Sequence, residues 1–222
     1  MLALPPVLLN VLGFLLGFAG VMVLRVLTVM FGKRPASKRS KPAKTMIVLG
    51  SGGHTAEMLM LMDSMGRERY SPRTYVVAAT DAMSGGKAVA RERTWQKTES
   101  PTGFSLVQIP RSREVGQSYL TSVGTTLYSL AFAFRVVLRE RPELVLVNGP
   151  GTCIPICAAA FTYRVLGLAQ TQVVYVESIA RTRRFSLSAK LLYHLRMADL
   201  LFVQWEQLAK TYPRAVYAGR LY

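Results

Sequence analysis

The sequence predicts an α/β chain: a Rossmann-like doubly wound parallel sheet preceded by one transmembrane helix. Three observations lead there. Short runs of Val, Ile and Leu without polar alternation recur along the chain, separated by stretches long enough for a helix; that is the pattern of strands buried on both faces. Two of these runs lead directly into glycine-rich segments. One long uncharged stretch precedes them all.

That stretch is residues 7–24, whose only polar side chain is Asn10. At about 1.5 Å per residue, such a helix spans roughly 27 Å, close to a bilayer core. Continuing through residues 26–31 lets the helix tilt while Arg25 snorkels to the interface. A cleaved signal peptide carries its bases in front of the apolar run, whereas here they follow it. Residues 33–44 (KRPASKRSKPAK) hold six bases and no acid, which places the C-terminal side in the cytosol and the N-terminus in the lumen or exterior. Pro35 and Pro42 keep this linker extended, and its charge suits anionic lipid headgroups. Three regions follow: an anchor at 1–32, a basic linker at 33–44 and a cytosolic domain at 45–222.

Within the domain, strands are predicted at 46–49, 74–80, 104–109, 144–147, 173–176 and 200–203, with a last edge at 215–217. Helices are predicted at 56–65, 120–139, 152–166 and 187–197, with a helical turn at 206–210. Residues 81–102 lack an apolar period and read as a long, mobile loop. Cys153 and Cys157 lie four apart on one helix and read as small, reduced core residues. His194 falls mid-helix and reads as structural.

Composition narrows the function. The chain has 222 residues, half of them hydrophobic, and a net charge of +16; its mean hydropathy is +0.25. Disorder is excluded, and so is any enzyme needing two full nucleotide-type domains in one chain. The charge calls for an anionic partner, which is nucleic acid, a membrane or a phosphorylated substrate. Seven bases and no acid fall in residues 1–44, leaving 21 bases against 12 acids in the domain. Membrane and phosphate account for that division, and no nucleic acid is expected.

The segment 50–57 (GSGGHTAE) joins the first strand to the first helix. Ser51, Gly52, Gly53 and Thr55 would bring backbone N–H groups and a helix N-terminus to a phosphate. It is neither a Walker A loop nor a full dinucleotide fingerprint, which would need glycine where Thr55 stands. Asn148-Gly149-Pro150-Gly151 follows the fourth strand. In a doubly wound sheet, strands one and four flank the topological switch point, so both loops line one crevice. Glu177, Ser178 and Arg181 follow the fifth strand into the same rim, with Arg183 and Arg184 behind them; Arg111 and Arg113 add charge after the third. Glu177 is a sugar-hydroxyl acceptor, a base or a cap. His54 is a general base or a shaper of its loop. No Asp-x-Asp pattern is present, and no bound metal is expected.

Taken together, the segment 46–58 (MIVLGSGGHTAEM), Asn148-Gly149-Pro150-Gly151 and Tyr175-Val176-Glu177-Ser178 resemble a known family, as do Tyr212-Pro213-Arg214-Ala215 and Gly219-Arg220-Leu221. The family comprises the membrane-anchoring subunits of the eukaryotic UDP-N-acetylglucosamine transferase of dolichol-linked oligosaccharide synthesis, and the likeness covers nearly the whole chain. The resemblance implies the N-terminal half of a GT-B glycosyltransferase, related to the bacterial enzyme that adds N-acetylglucosamine to a lipid-linked muramyl precursor. A similar GGH loop serves lipid-diphosphate binding there. It implies that this chain binds the acceptor, dolichyl-diphosphate-N-acetylglucosamine, at the cytosolic face of the endoplasmic reticulum. A soluble partner subunit would hold the donor UDP-GlcNAc, and this chain would bind no cofactor of its own. The product would carry a second, β1,4-linked N-acetylglucosamine. Ser51, Gly52, Gly53, Thr55, Asn148, Gly149, Gly151, Ser178 and Arg181 would hold the acceptor diphosphate and sugar, with His54 or Glu177 taking the hydroxyl proton. Residues 200–222 are a reasonable partner interface. The rivals are a prokaryotic split transferase acting on undecaprenyl lipid, a membrane-tethered reductase using Asp81 to bind a ribose, and a pure recruiter of the catalytic partner.

Overall fold

The structure is a computed structural model in which residues 5–32, 39–112, 117–118, 121–149 and 151–222 are described. The first half of the basic linker with Pro35, and also Arg113 and Pro150, lie outside the described residues.

Seven strands form one parallel sheet: β1 (Thr45–Val48), β2 (Arg73–Ala78), β3 (Phe104–Ile109), β4 (Leu144–Asn148), β5 (Gln172–Val176), β6 (Leu200–Val203) and β7 (Val216–Tyr217). Their order is β3-β2-β1-β4-β5-β6-β7, so the direction of winding reverses between β1 and β4. Val48 pairs with Val147 across that junction, which sets the two glycine loops level with each other. The predicted doubly wound sheet is the one observed.

Alternation along each strand sorts the core into two layers. Met46 and Val48 face one side with Val145, Val147 and Tyr175, under α4 (Ser122–Glu140), α5 (Cys153–Val165), α6 (Leu187–His194) and α7 (Glu206–Thr211). Ile47 and Leu49 face the other with Tyr75, Val77 and Leu146, under α2 (Gly53–Ser64) and α3 (Ser84–Gln96). Cys153 and Cys157 are free thiols buried in the first layer.

Helix α3 corrects the expectation of a mobile loop at 81–102. The segment lacks an apolar period because a buried ion pair, rather than an apolar stripe, holds it down. Glu92 is fully buried. It accepts from Arg73 Nε at 2.5 Å and Nη2 at 2.8 Å, and from the Tyr75 hydroxyl at 2.7 Å. Asp81 caps the helix, its Oδ1 accepting from the backbone N–H groups of Met83 and Ser84 and its Oδ2 from the Ser84 hydroxyl. His194 is likewise corrected. It is the last residue of α6, not mid-helix, and it is exposed.

The N-terminal helix α1 (Pro6–Phe31) is long and apolar enough to cross a membrane, and it fits a membrane anchor. Residues 6–21 are exposed. Beyond them Met22, Arg25, Val26, Val29 and Met30 are half-buried, a stripe at helical spacing laid against the domain. Arg25 does not snorkel: its Nε donates to the Val165 carbonyl at 3.1 Å and its Nη2 to that of Arg164 at 3.2 Å. It thereby caps carbonyls at the end of α5, that of Arg164 being shared with the Gly167 N–H. The described end of the basic segment is also tied down, with Arg39 Nη2 2.6 Å from Glu143 Oε1 and the Lys44 N–H donating to Glu143 Oε2.

Candidate functional site

The site starts from the turn that leaves β1. Gly52 takes φ 63°, a left-handed conformation that glycine adopts without a Cβ clash. Ser51, Gly52 and Gly53 are exposed, and no side chain caps the first turn of α2. Its leading N–H groups therefore open onto the crevice with the positive end of the helix dipole. Thr55, expected to touch ligand, turns inward instead. Its hydroxyl is fully buried, donates to the Gly50 carbonyl and lies 2.6 Å from Ser84 Oγ.

On the first turn of α2, His54 meets Glu57, which the sequence reading did not single out. Nδ1 of His54 is 3.3 Å from Glu57 Oε2. The other carboxylate oxygen accepts from the Ser178 hydroxyl at 2.7 Å. Burial alone would raise the Glu57 carboxyl, but the hydrogen bonds with His54 and Ser178 outweigh it and hold the group below its ordinary value. The signal for Glu57 was available, since residues three apart on a helix share a face.

The loop after β4 closes over this pair. Asn148 is buried, and its Nδ2 donates to the His54 carbonyl at 2.8 Å. Its Oδ1 has no hydrogen-bond partner among the described residues. Gly149 takes φ 52°, and a Cβ there would stand 2.3 Å from Cε1 of His54. The imidazole thus lies directly on the Gly149 backbone. Gly151 sits farther off, where a Cβ would meet only Ser112 Oγ at 3.5 Å.

The third loop contributes less directly than its sequence suggested. Glu177 is fully buried. Its Oε1 accepts from the Tyr175 hydroxyl and the Ser178 N–H, both at 3.1 Å, and its Oε2 from the Ser186 N–H at 2.9 Å. That carboxylate ties the end of β5 to the start of α6. Its main-chain carbonyl accepts from the Tyr222 hydroxyl at 2.9 Å. Arg181, Arg183 and Arg184 follow and are exposed. Gly53, His54, Glu57, Gly149, Glu177, Ser178 and Arg181 are among the residues lining an open cleft of about 510 Å³.

Asp81, the ribose ligand of the reductase alternative, is committed to the cap of α3 and does not line this cleft. Burial would raise its carboxyl; the Ser84 and Met83 hydrogen bonds and the Arg111 charge bring it below its ordinary value. Among the described residues no group of three His, Cys, Asp or Glu could hold a metal ion.

The family model described as "Oligosaccharide biosynthesis protein Alg14 like" matches residues 45–221. The chain is similar to the UDP-N-acetylglucosamine transferase subunit ALG14 of Rattus norvegicus, with 46% identity over 208 residues, or 92% of this chain and 94% of that protein. The Homo sapiens protein of the same name is 45% identical over 179 residues, 79% of this chain and 82% of that one. That of Yarrowia lipolytica is 43% identical over 206 residues, 90% and 93%. In fold, the chain is similar to Acinetobacter baumannii MurG, with a TM-score of 0.51 and 15% identity over 75% of this chain and 43% of that one. A putative UDP-N-acetylglucosamine 2-epimerase from Listeria monocytogenes gives a TM-score of 0.51 and 19% identity over 78% and 42%. These two likenesses concern the fold alone.

Proposed function

We propose a function from one premise: the chain belongs to the Alg14 family of oligosaccharide biosynthesis proteins. It is a subunit of a UDP-N-acetylglucosamine transferase, and its activity requires a catalytic partner. In our reading it is the membrane-anchoring, acceptor-binding half of a GT-B enzyme. It holds dolichyl-diphosphate-N-acetylglucosamine at the cytosolic face of the endoplasmic reticulum, while a soluble subunit holds UDP-GlcNAc. The product gains its second N-acetylglucosamine in β1,4 linkage.

One observation carries this reading: the His54–Glu57 pair stands beside the uncapped N-terminus of α2, over the β1/β4 switch point. The N–H groups of Gly52 and Gly53 and the side chain of Arg181 would hold the acceptor diphosphate. With Nδ1–H donated to Glu57, Nε2 of His54 is left to accept a proton. It takes that proton from the acceptor sugar's hydroxyl as the oxygen attacks the donor's anomeric carbon. The bond from that carbon to the UDP oxygen breaks, UDP leaves with the electron pair, and the configuration inverts. Glu177 positions the rim that carries Ser178, and no metal or cofactor bound by this chain takes part.

The test is a transfer assay on the detergent-solubilised chain with UDP-GlcNAc and a lipid-diphosphate-N-acetylglucosamine acceptor. The chain alone should be inactive, and addition of the soluble partner should give activity that prefers dolichyl over undecaprenyl acceptor. Full activity from the partner fused to an unrelated anchor would overturn the acceptor-binding role and leave recruitment only.

A further inference from the structure

A second pocket, of about 630 Å³, lies where the end of α1 meets the domain. Its walls include Val29 and Met30 of α1, Gln172 and Leu200 at the amino ends of β5 and β6, and the side chains of Arg196 and Arg214. The acceptor cleft lies at the carboxyl ends of the strands, so the two are separated by the length of the sheet, on the order of 15 Å.

We propose that this pocket binds the phosphate headgroup of an anionic membrane lipid. The proposal rests on α1 crossing the bilayer. With Arg25 bound to the end of α5, the uncharged part of α1 is what remains for the hydrocarbon core, residues 6–24. Those residues span about 28 Å, enough for the core. Val29 and Met30 stand four and five residues past Arg25, or about 6–8 Å farther along the axis. That is the thickness of one headgroup layer, about 5–8 Å. The pocket therefore opens at the depth where lipid phosphates lie.

Its electrostatics fit the same ligand. The carboxylate in the wall, Asp199, is already satisfied: both its oxygens are 2.9 Å from Arg164 Nη1, and Oδ2 also accepts from the Val173 N–H. Neither Arg196 nor Arg214 has a carboxylate partner among the described residues. Each guanidinium is instead held over an aromatic face. Arg196 lies 4.2 Å from the ring centre of Phe31, the last residue of α1, and Arg214 lies 3.9 Å from that of Tyr193. Stacking of this kind fixes a guanidinium and leaves edge N–H groups for a phosphate; in Arg214 the Nη2 already donates to the Tyr193 carbonyl, and Nε and Nη1 are the groups that remain. Phe31 thus places one of the two cations at the boundary itself.

The experiment reconstitutes the full-length chain in nanodiscs of phosphatidylcholine containing a minority of phosphatidylserine, and counts retained lipid by native mass spectrometry. The wild type should retain phosphatidylserine selectively. Combining Arg196→Gly with Arg214→Ala should weaken retention about twenty-five-fold, taking about fivefold for each base. Arg196 takes φ 50°, where glycine is at ease, so Arg196→Gly removes the side chain without straining the backbone. Lys87→Ala, on the exposed face of α3, should leave retention unchanged. Wild-type retention by the double variant would overturn the proposal, as would complete displacement by millimolar inorganic phosphate, which would make the ligand a free anion. Carbonate extraction separates the two layers of inference. A chain released from membranes loses both the anchor and the pocket; a chain that stays inserted while the double variant retains lipid normally loses the pocket alone.

Discussion

Nδ1 of His54 lies 3.3 Å from Oε2 of Glu57, one turn further along α2. The contact joins the glycine loop to the rim after β5, because Glu57 also accepts from Ser178. Burial opposes the charge on Glu57, but these two partners prevail, so the carboxylate is ionised at neutral pH and fixes the tautomer of the imidazole.

Replacing the pair should therefore impair turnover and spare the fold. With the partner subunit present, His54→Ala should lower the transfer rate by about 10²–10⁴-fold and Glu57→Gln by about 10²-fold, with melting temperatures close to wild type. Steady-state kinetics and thermal melts read the two quantities apart. Near-normal turnover in His54→Ala would remove the general base from the mechanism.

Glu177→Gln should show the reverse profile. The new amide would turn a donor toward one of the N–H groups that the carboxylate now accepts. Leaving such a group unsatisfied costs about 2 kcal/mol, or roughly 4–8 °C in melting temperature for a chain of this size. A variant of normal stability but no activity would make Glu177 the base after all.

The two glycines beside His54 should behave differently. Gly149→Ala meets the His54 ring at 2.3 Å and keeps a φ of 52°, so it should cost about 1–2 kcal/mol and displace the imidazole. At Gly53 a Cβ meets nothing within 4 Å, and alanine favours the helix. Gly53→Ala should keep the fold and raise KM for the lipid acceptor, through crowding of the diphosphate. An unchanged KM would move the diphosphate away from this turn.

The ion pair under α3 gives a prediction on acid stability. Burial would raise the Glu92 carboxyl, but Arg73 and Tyr75 bring it below its ordinary 4.5. A folded value below the unfolded one means that the stabilisation is fully present above about pH 4.5 and is lost as the pH falls through the folded value. Thermal melts from pH 7 to pH 3 should follow that course. Glu92→Gln should cost about 3 kcal/mol at pH 7 by leaving Arg73 buried and unpaired, and it should flatten the acid limb. An acid limb identical to wild type would rule out Glu92 as its source.

Much of this was legible in the residues. The strands were, because a parallel sheet buries both faces and writes its core as unbroken runs such as Met46-Ile47-Val48-Leu49. Juxtaposition of the two glycine loops followed from topology, since strands one and four are neighbours wherever the winding reverses. Side-chain direction did not follow. Thr55 and Glu177 sit within the predicted loops, yet both point inward, because the tight turns need buried acceptors for hydroxyls and N–H groups. Glu57 escaped notice as one acid on an exposed-looking turn, and its role depends on Ser178, distant in sequence. Helix α3 was illegible for a related reason: Arg73 and Glu92 are charged residues at core positions, and only the fold brings them together.

The grip of Arg25 on the end of α5 has one more consequence. A domain hung on a flexible cord would tumble above the membrane, and its crevice would meet acceptors at every attitude. With α1 seated in a bilayer and clamped at Arg25, the swivel between anchor and domain is stiffened, and one flank is presented to the lipid. For the lipid acceptor proposed above, encounter becomes a search in two dimensions at a set orientation, which raises effective concentration without any added affinity. Loosening that joint would slow the capture of lipid-borne acceptors and leave a short-chain, water-soluble one untouched.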